Sequence, residues 1–317
     1  MDPITHVLTG LAMSRAGLSR WHARAPLLLM MAAEAPDIDV VSAFGGPFNY
    51  FVYHRWITHA VVFAPVLALV IALLFCAIDR SWRSFLAGFL LALAGVASHL
   101  LLDWTNAYGI RLLLPFNSNW YALNVTNVID IWIWLVLGIA TFGPLIGRLV
   151  SSEMGARPAP GRGMAIFALL FLLSYNVGRG FLHERAMATL DSRIYDGAAP
   201  LRVGAFPTLF NPLLWEGVVN EPAAMRSYRF NLAATFDPDA GKRFDKPAPS
   251  PAMKAAAKTY VFQRFLSFAG WHALWSVIPA ATGENNLEVR ATDLRMGFTA
   301  TALVDAQNRV QQTSFRF

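Results

Sequence analysis

Histidines and aspartates recur through the first hundred or so residues in short motifs, inside sequence that otherwise reads as membrane. His6 ends Asp2-Pro3-Ile4-Thr5-His6, and Asp37 and Asp39 stand in Ala35-Pro36-Asp37-Ile38-Asp39. His54 and His59 frame His54-Arg55-Trp56-Ile57-Thr58-His59, and His99 and Asp103 frame His99-Leu100-Leu101-Leu102-Asp103. Ionisable groups at membrane depth are costly to desolvate, so those that persist pair, bind an ion or do chemistry. Imidazoles and carboxylates together are also what surrounds a metal-activated water.

The spacings say which of these can meet. His99 and Asp103, four apart on a helix, project from one face, as two ligands of one ion or as a satisfied pair at a helix end. His54 and His59 are five apart, about 140° on an ideal helix. They converge only if the chain is irregular near His54 and enters the helix around Trp56–Thr58; otherwise His, Arg and Trp are headgroup-level anchors. Asp37 and Asp39 face the same side if Pro36 ends the preceding helix in an extended turn, either as a carboxylate bridge between cations or as a solvated polar loop. His6 with Thr5 also reads as a helix cap, Asp130 as an outer acceptor, and Glu34 as a general base or a buried hydrogen-bonding partner. His22 lies at the opposite tip and is set apart, and His183 and His272, without acidic neighbours, read as structural.

The elements that must position these groups are membrane helices. Hydrophobic residues make up 56% of the 317 and charged residues 15%, against about a quarter charged in soluble domains. Apolar runs at 60–78, 85–102, 128–146 and 164–181 are each long enough to span a bilayer, and two shorter ones, 4–18 and 25–35, form an antiparallel helical pair with 19–24 at its tip. The net charge of +6 comes mostly from basic residues in short loops and makes no dense tract, so no nucleic acid is expected as a partner. Cys76 is the single cysteine, which leaves no disulfide framework and no thiolate metal site. The N-terminus carries no cleavable signal, and nothing sets an oligomeric state.

Arg15, Arg20, Arg24, Arg80, Arg83, Arg148, Arg157 and Arg162 fall in loops that alternating topology puts on one side, the cytoplasmic one by charge bias. The motif residues fall at the other ends of their segments, outside the cytoplasm. Beyond about residue 183 the texture changes to Pro, Asn, Asp and Gly between shorter apolar stretches, with all four lysines. Strand-period alternation at 228–232, 287–294, 298–304 and 309–317, with a helical stretch at 255–268, predicts an α+β tail. The expected organisation is therefore a mainly α-helical polytopic membrane domain over 1–182, with four long spans and a short N-terminal helical pair. A small soluble α+β domain over 183–317 follows, outside the cytoplasm.

The order and wording of these motifs, with Thr105-Asn106-Ala107-Tyr108-Gly109, Leu114-Pro115-Phe116, Asp130 and Asn211-Pro212-Leu213-Leu214-Trp215, resemble the YdjM-type, LexA-regulated membrane-bound metal-dependent hydrolases. Two positions depart from that pattern: Trp56, where a small residue is more usual, and Asn106, where a hydroxyl residue is common. The resemblance implies a polytopic membrane hydrolase that needs a metal, with His6, Asp37, Asp39, His54, His59, His99 and Asp103 at the matching positions. On this reading one or two divalent ions are held at the outer membrane face, zinc first and manganese or iron possible on the same nitrogen and oxygen donors. Asp39 or Glu34 takes the proton of water, and Arg55 holds an anionic group of a lipid or amphiphilic ester substrate. The alternative is a non-enzymatic membrane protein whose His/Asp cluster binds or passes a metal ion or serves as a structural metal clip.

Overall fold

Asp2 caps the first helix, accepting from the Thr5 amide at 3.1 Å, and Pro3 takes the first helical position, where a missing N–H costs nothing. The computed structural model describes residues 1–153, 161–281 and 286–317. Helix α1 (Pro3–Ala16) turns back at Gly17 into α2 (Ala25–Glu34), and a short α3 (Pro47–Tyr53) follows. Then come α4 (Ala64–Asp79), α5 (Phe85–Thr105), α6 (Ile131–Glu153) and α7 (Arg162–Asp191).

Among the described residues four stretches, Val61–Asp79, Phe85–Thr105, Ile131–Leu149 and Arg162–Asp191, are long and apolar enough to cross a membrane. They match the four expected spans, with ends shifted by up to three residues, except that the last runs ten residues further, to Asp191. Arg157 and residues 158–160 of the loop expected between the last two lie outside the described residues.

The described chain divides into two compact units, Met1–Val40 with His54–Phe181, and Val41–Tyr53 with Leu182–Phe317. The segment 41–53 thus belongs with the C-terminal residues, where a single break near 183 places it with the helices.

In the first unit, Leu28, Leu29 and Ala32 of α2 pack with Ala68, Ile71 and Phe75 of α4 and with Leu91, Ala92 and Val96 of α5. A second cluster joins Ala12 of α1 to Ile133, Leu137 and Ala140 of α6 and to Ala168 and Leu172 of α7. Two glycines set how closely the helices approach. A Cβ on Gly10 would lie 2.5 Å from the Leu29 carbonyl oxygen, and one on Gly95 would lie 2.6 Å from the Ala32 Cβ.

The second unit holds two four-stranded antiparallel meanders. The first runs β1 (Arg202–Pro207), β2 (Leu214–Asn220), β3 (Ala224–Asn231), β4 (Lys242–Asp245). The second runs β5 (Ala273–Pro279), β6 (Leu287–Asp293), β7 (Thr299–Val304), β8 (Val310–Arg316). The helix expected over 255–268 is two helices, α8 (Pro251–Ala257) and α9 (Tyr260–Ala269), because Thr259 leaves helical geometry to cap α9. Phe262, Phe265 and Phe268 form the buried face of α9, and Trp215, fully buried, centres a core with Leu190, Tyr228, Phe230 and Phe236.

Candidate metal centre

The motif residues of the first unit come together from four places in the chain. Helix α1 contributes His6. Pro36 is buried where α2 ends, and the chain tightens there into a 3₁₀ stretch, Ala35–Gly45, rather than the extended turn expected. With three residues per turn, positions two apart point in different directions. Asp37 and Asp39 accordingly meet opposite edges of one imidazole, Asp37 Oδ1 at 3.2 Å from His59 Nε2 and Asp39 Oδ2 at 3.2 Å from His59 Nδ1.

His54 and His59 converge, with ring centroids 5.8 Å apart, because the chain between them is irregular. Arg55 sits at φ 57° and a 3₁₀ turn covers Ile57–His59. Asp39 closes this loop at its base. It accepts from the Arg55 amide at 2.8 Å and the Thr58 hydroxyl at 2.9 Å, and its other oxygen lies 2.8 Å from His54 Nδ1. His99 and Asp103 share a face of α5 as their spacing requires, both fully buried.

Two sets of potential ligand atoms result. Asp37, His59, His99 and Asp103 form one and Asp37, Asp39 and His54 the other, the atoms within each set all lying within 4.8 Å of one another. The first set passes a chemical test for a cation. His99 Nδ1 lies 2.7 Å from the Ala33 carbonyl oxygen, which accepts its proton, while His59 Nδ1 faces Asp39. In those tautomers the two Nε2 lone pairs confront each other at 3.1 Å, an unfavourable contact for protein alone and a suitable one around a shared cation. Asp37 Oδ1 and Asp103 Oδ2 border the same space, buried and without a hydrogen-bond partner. Two imidazole nitrogens and two carboxylate oxygens suit a divalent ion such as zinc, manganese or iron.

The remaining groups surround these sets. His6 stacks on His99 with ring centroids 3.7 Å apart and brings Nε2 to 3.4 Å from Asp103 Oδ1. Burial, then the charges of the amino terminus, His99, Arg55 and His59, hold it neutral, well below the usual histidine range. Arg55 was expected to face an anionic substrate, which asks for an exposed guanidinium, but it is 2% exposed and turned into the protein. It donates to Asp103 Oδ1 at 3.1 Å, to Asn106 Oδ1 at 3.1 Å and to the Gly109 carbonyl at 3.0 Å, and lies over the Tyr108 ring.

The acids differ sharply. Burial pushes the Asp37 and Asp39 carboxyls up, but the imidazoles that surround them more than offset it and leave both well below the carboxylate range. Burial also lowers His54, despite its bond to Asp39. Glu34, half-buried with Oε2 unpartnered, is pushed up to about 7 by burial and then by the charge of Asp37.

Asp130 bonds elsewhere: it caps α6 through the amides of Trp132 and Ile133 and accepts from the Tyr175 hydroxyl. His22 pairs with Asp79 at 3.6 Å, His183 lies against Trp215, and His272 against the Ala269 carbonyl. Three contributors escaped the sequence reading. The Ala33 carbonyl and the Thr58 hydroxyl carry no motif signal of their own. Asn106, noted only as a departure, accepts from Arg55 and from the Tyr108 and Gly109 amides while donating to Asp103.

Fold and centre together define a polytopic helical membrane protein with a buried His/Asp cluster. The profile of the YdjM inner membrane protein family matches residues 1–186, and the chain belongs to that family. Every residue of the centre lies inside the match. The chain is also 33% identical over 308 residues to the uncharacterized protein YfhP of Bacillus subtilis (strain 168), covering 93% of this chain and 86% of that one. No solved structure matches.

Proposed function

We propose that this protein is a membrane-bound, metal-dependent hydrolase acting on a lipid or amphiphilic (phospho)ester at the outer face of the cytoplasmic membrane. The observation that carries the reading is the meeting of His59 Nε2 and His99 Nε2 at 3.1 Å, beside two buried, unpartnered carboxylate oxygens. A divalent ion held there, zinc by first choice, would anchor the cluster, and one held beside it by Asp37, Asp39 and His54 would supply Lewis acidity and lower the pKa of water toward neutrality.

The two sets of donors take different parts. Asp37, His59, His99 and Asp103 would hold an ion at the deep position with four protein donors, whereas Asp37, Asp39 and His54 offer three, so an ion there would have room for water or substrate. Asp37 belongs to both and can bridge two ions. Asp39 holds its carboxylate ionised and fully engaged, which suits a ligand. Glu34, with a pKa near the working pH and a free oxygen, suits the base that takes a proton from water. Arg55 steadies Asp103 from behind.

Ile38 and Val40 alternate with the two aspartates and are 62% and 53% exposed, so the rim is apolar and supports an amphiphilic substrate. The arginine bias supports the outer placement.

The second reading, a non-catalytic metal clip, draws on the closed character of the four-donor set. Metal analysis of the purified protein beside His59→Ala, His99→Ala and His54→Ala, with hydrolysis of lipid phosphoesters by each, separates the two. Metal lost in the first two, and hydrolysis lost in all three, is expected. Equal metal in all four proteins defeats the ligand assignment. Hydrolysis by none of them, with metal bound, favours the clip.

A further inference from the structure

Helix α1 carries His6 near its start and Arg15 near its end, so the second feature lies at the other end of the helix from the metal centre. There α1 meets α6, whose Pro144 interrupts the helical ladder. Arg15 reaches across and donates to the Thr141 carbonyl at 2.8 Å. A cavity of about 230 Å³ remains, lined by Arg15, Ser19, Pro144, Leu145, Arg148 and Gly161. Arg162 stands next to it and donates to the Ala16 carbonyl at 3.0 Å.

Among the side chains described, no carboxylate pairs with Arg15, Arg148 or Arg162, so three guanidinium groups gather at this end of the helices. The neighbouring surface is apolar, with Leu145, Ile146 and Leu149 43%, 61% and 69% exposed near the end of a membrane span. Guanidinium forks and a hydroxyl around a void at the boundary of the apolar zone match the oxygens of a phosphate whose attached chains run along that surface. Basic pockets between helices on the arginine-rich side of a membrane take anionic headgroups in this way.

We propose that this cavity binds the phosphate of an anionic phospholipid, in the leaflet opposite the metal centre. The assignment stands apart from the hydrolase reading and uses none of its residues.

The test uses the full-length protein in a non-ionic detergent, with bound lipid read by native mass spectrometry and the melting temperature read on titration. The probes are phosphatidylglycerol, phosphatidylcholine and inorganic phosphate. Phosphatidylglycerol should stay bound and raise the melting temperature, with the other two weaker. Removing one guanidinium in Arg148→Gln should weaken phosphatidylglycerol binding about fivefold, while Arg83→Gln, an exposed arginine outside the cavity, should leave it unchanged. Among the side chains described Arg148 has no hydrogen-bond partner, so this variant stays readable if Arg15→Gln fails to fold. Equal retention of the two lipids, phosphate alone acting as well as lipid, or equal losses in Arg148→Gln and Arg83→Gln would overturn the assignment.

Discussion

His99 presents Nδ1 to the carbonyl oxygen of Ala33 at 2.7 Å, a contact between positions 66 apart in the chain. That bond leaves Nε2 as the free lone pair facing His59. It exists because α5 lies close against α2, and Gly95, one turn before His99, permits the approach: a Cβ there would come 3.1 Å from the Ala33 amide nitrogen. Gly95→Ala is therefore expected to separate the helices by a few tenths of an ångström, cost about 1–3 kcal/mol and lower metal content. Metal analysis and thermal melting of the purified variant check it. Wild-type values for both would remove Gly95 from the argument.

Arg55 reaches three acceptors, the side chains of Asp103 and Asn106 and the Gly109 carbonyl, through the fork of a planar guanidinium. Lysine keeps the charge but cannot span them. Arg55→Lys should leave Asn106 or Asp103 badly placed in a buried site, destabilise the protein by about 1–3 kcal/mol and reduce metal affinity. Competition with a chromogenic chelator measures that affinity. An Arg55→Lys protein with unchanged affinity and reduced phosphoester hydrolysis would return Arg55 to the substrate-facing role.

The spans and the His99/Asp103 pair were legible because both follow from local periodicity, apolar run length in one case and an i, i+4 face in the other. The convergence of His54 on His59 was legible only as a condition, an irregular backbone, which the positive φ of Arg55 supplies. Asn106 was not legible, since its role rests on a guanidinium 51 positions away and on backbone amides. The 3₁₀ course of Asp37–Asp39 was missed because Pro36 signals only that the helix changes, and not into what. Strand β1 carries Gly204 and Pro207 and β2 carries Gly217 within short runs, and their burial is set by partners across the sheet. The allegiance of 41–53 is tertiary altogether.

That allegiance rests on Phe51. Its ring is 2% exposed, with the Phe315 and Phe268 rings at 4.4 and 5.3 Å, all within the second unit. Phe51→Ala should cost about 3–5 kcal/mol, and Phe51→Leu less, in the denaturation of that unit. Tryptophan fluorescence during denaturant titration reads it, because Trp215 and Trp275 lie in the same unit. An unshifted midpoint in Phe51→Ala would mean that α3 contributes no packing there.

The arginine bias predicts that the chain crosses the membrane so that its C-terminus lies outside the cytoplasm. A periplasm-dependent phosphatase fused after Phe317 should be active and a fluorescent protein that folds only in the cytoplasm should be dark. The reverse pair of signals inverts the topology and places the metal centre on the cytoplasmic face.

On the proposed hydrolase reading, Glu34 should set the pH dependence of the centre. Burial and the Asp37 charge raise its carboxyl from 4.5 to about 7, so below that pH it holds a proton and cannot accept one. Hydrolysis should rise with pH through an inflection at or below about 7, since a cation on Asp37 cancels part of the charge that raises Glu34. Glu34→Gln should remove that inflection and lower kcat by roughly 10²–10⁴-fold while metal content stays at the wild-type level. Stability runs the other way. The unfolded chain releases this proton near 4.5 and the fold holds it to about 7, so Glu34's own contribution to the stability of the metal-free protein falls as pH rises across that interval, against the gain from the depressed His6 and His54. Glu34→Gln should remove that fall and leave the histidine gain. An acid limb of activity that survives in Glu34→Gln, with kcat near wild type, would transfer the base role to Asp39 or to water alone.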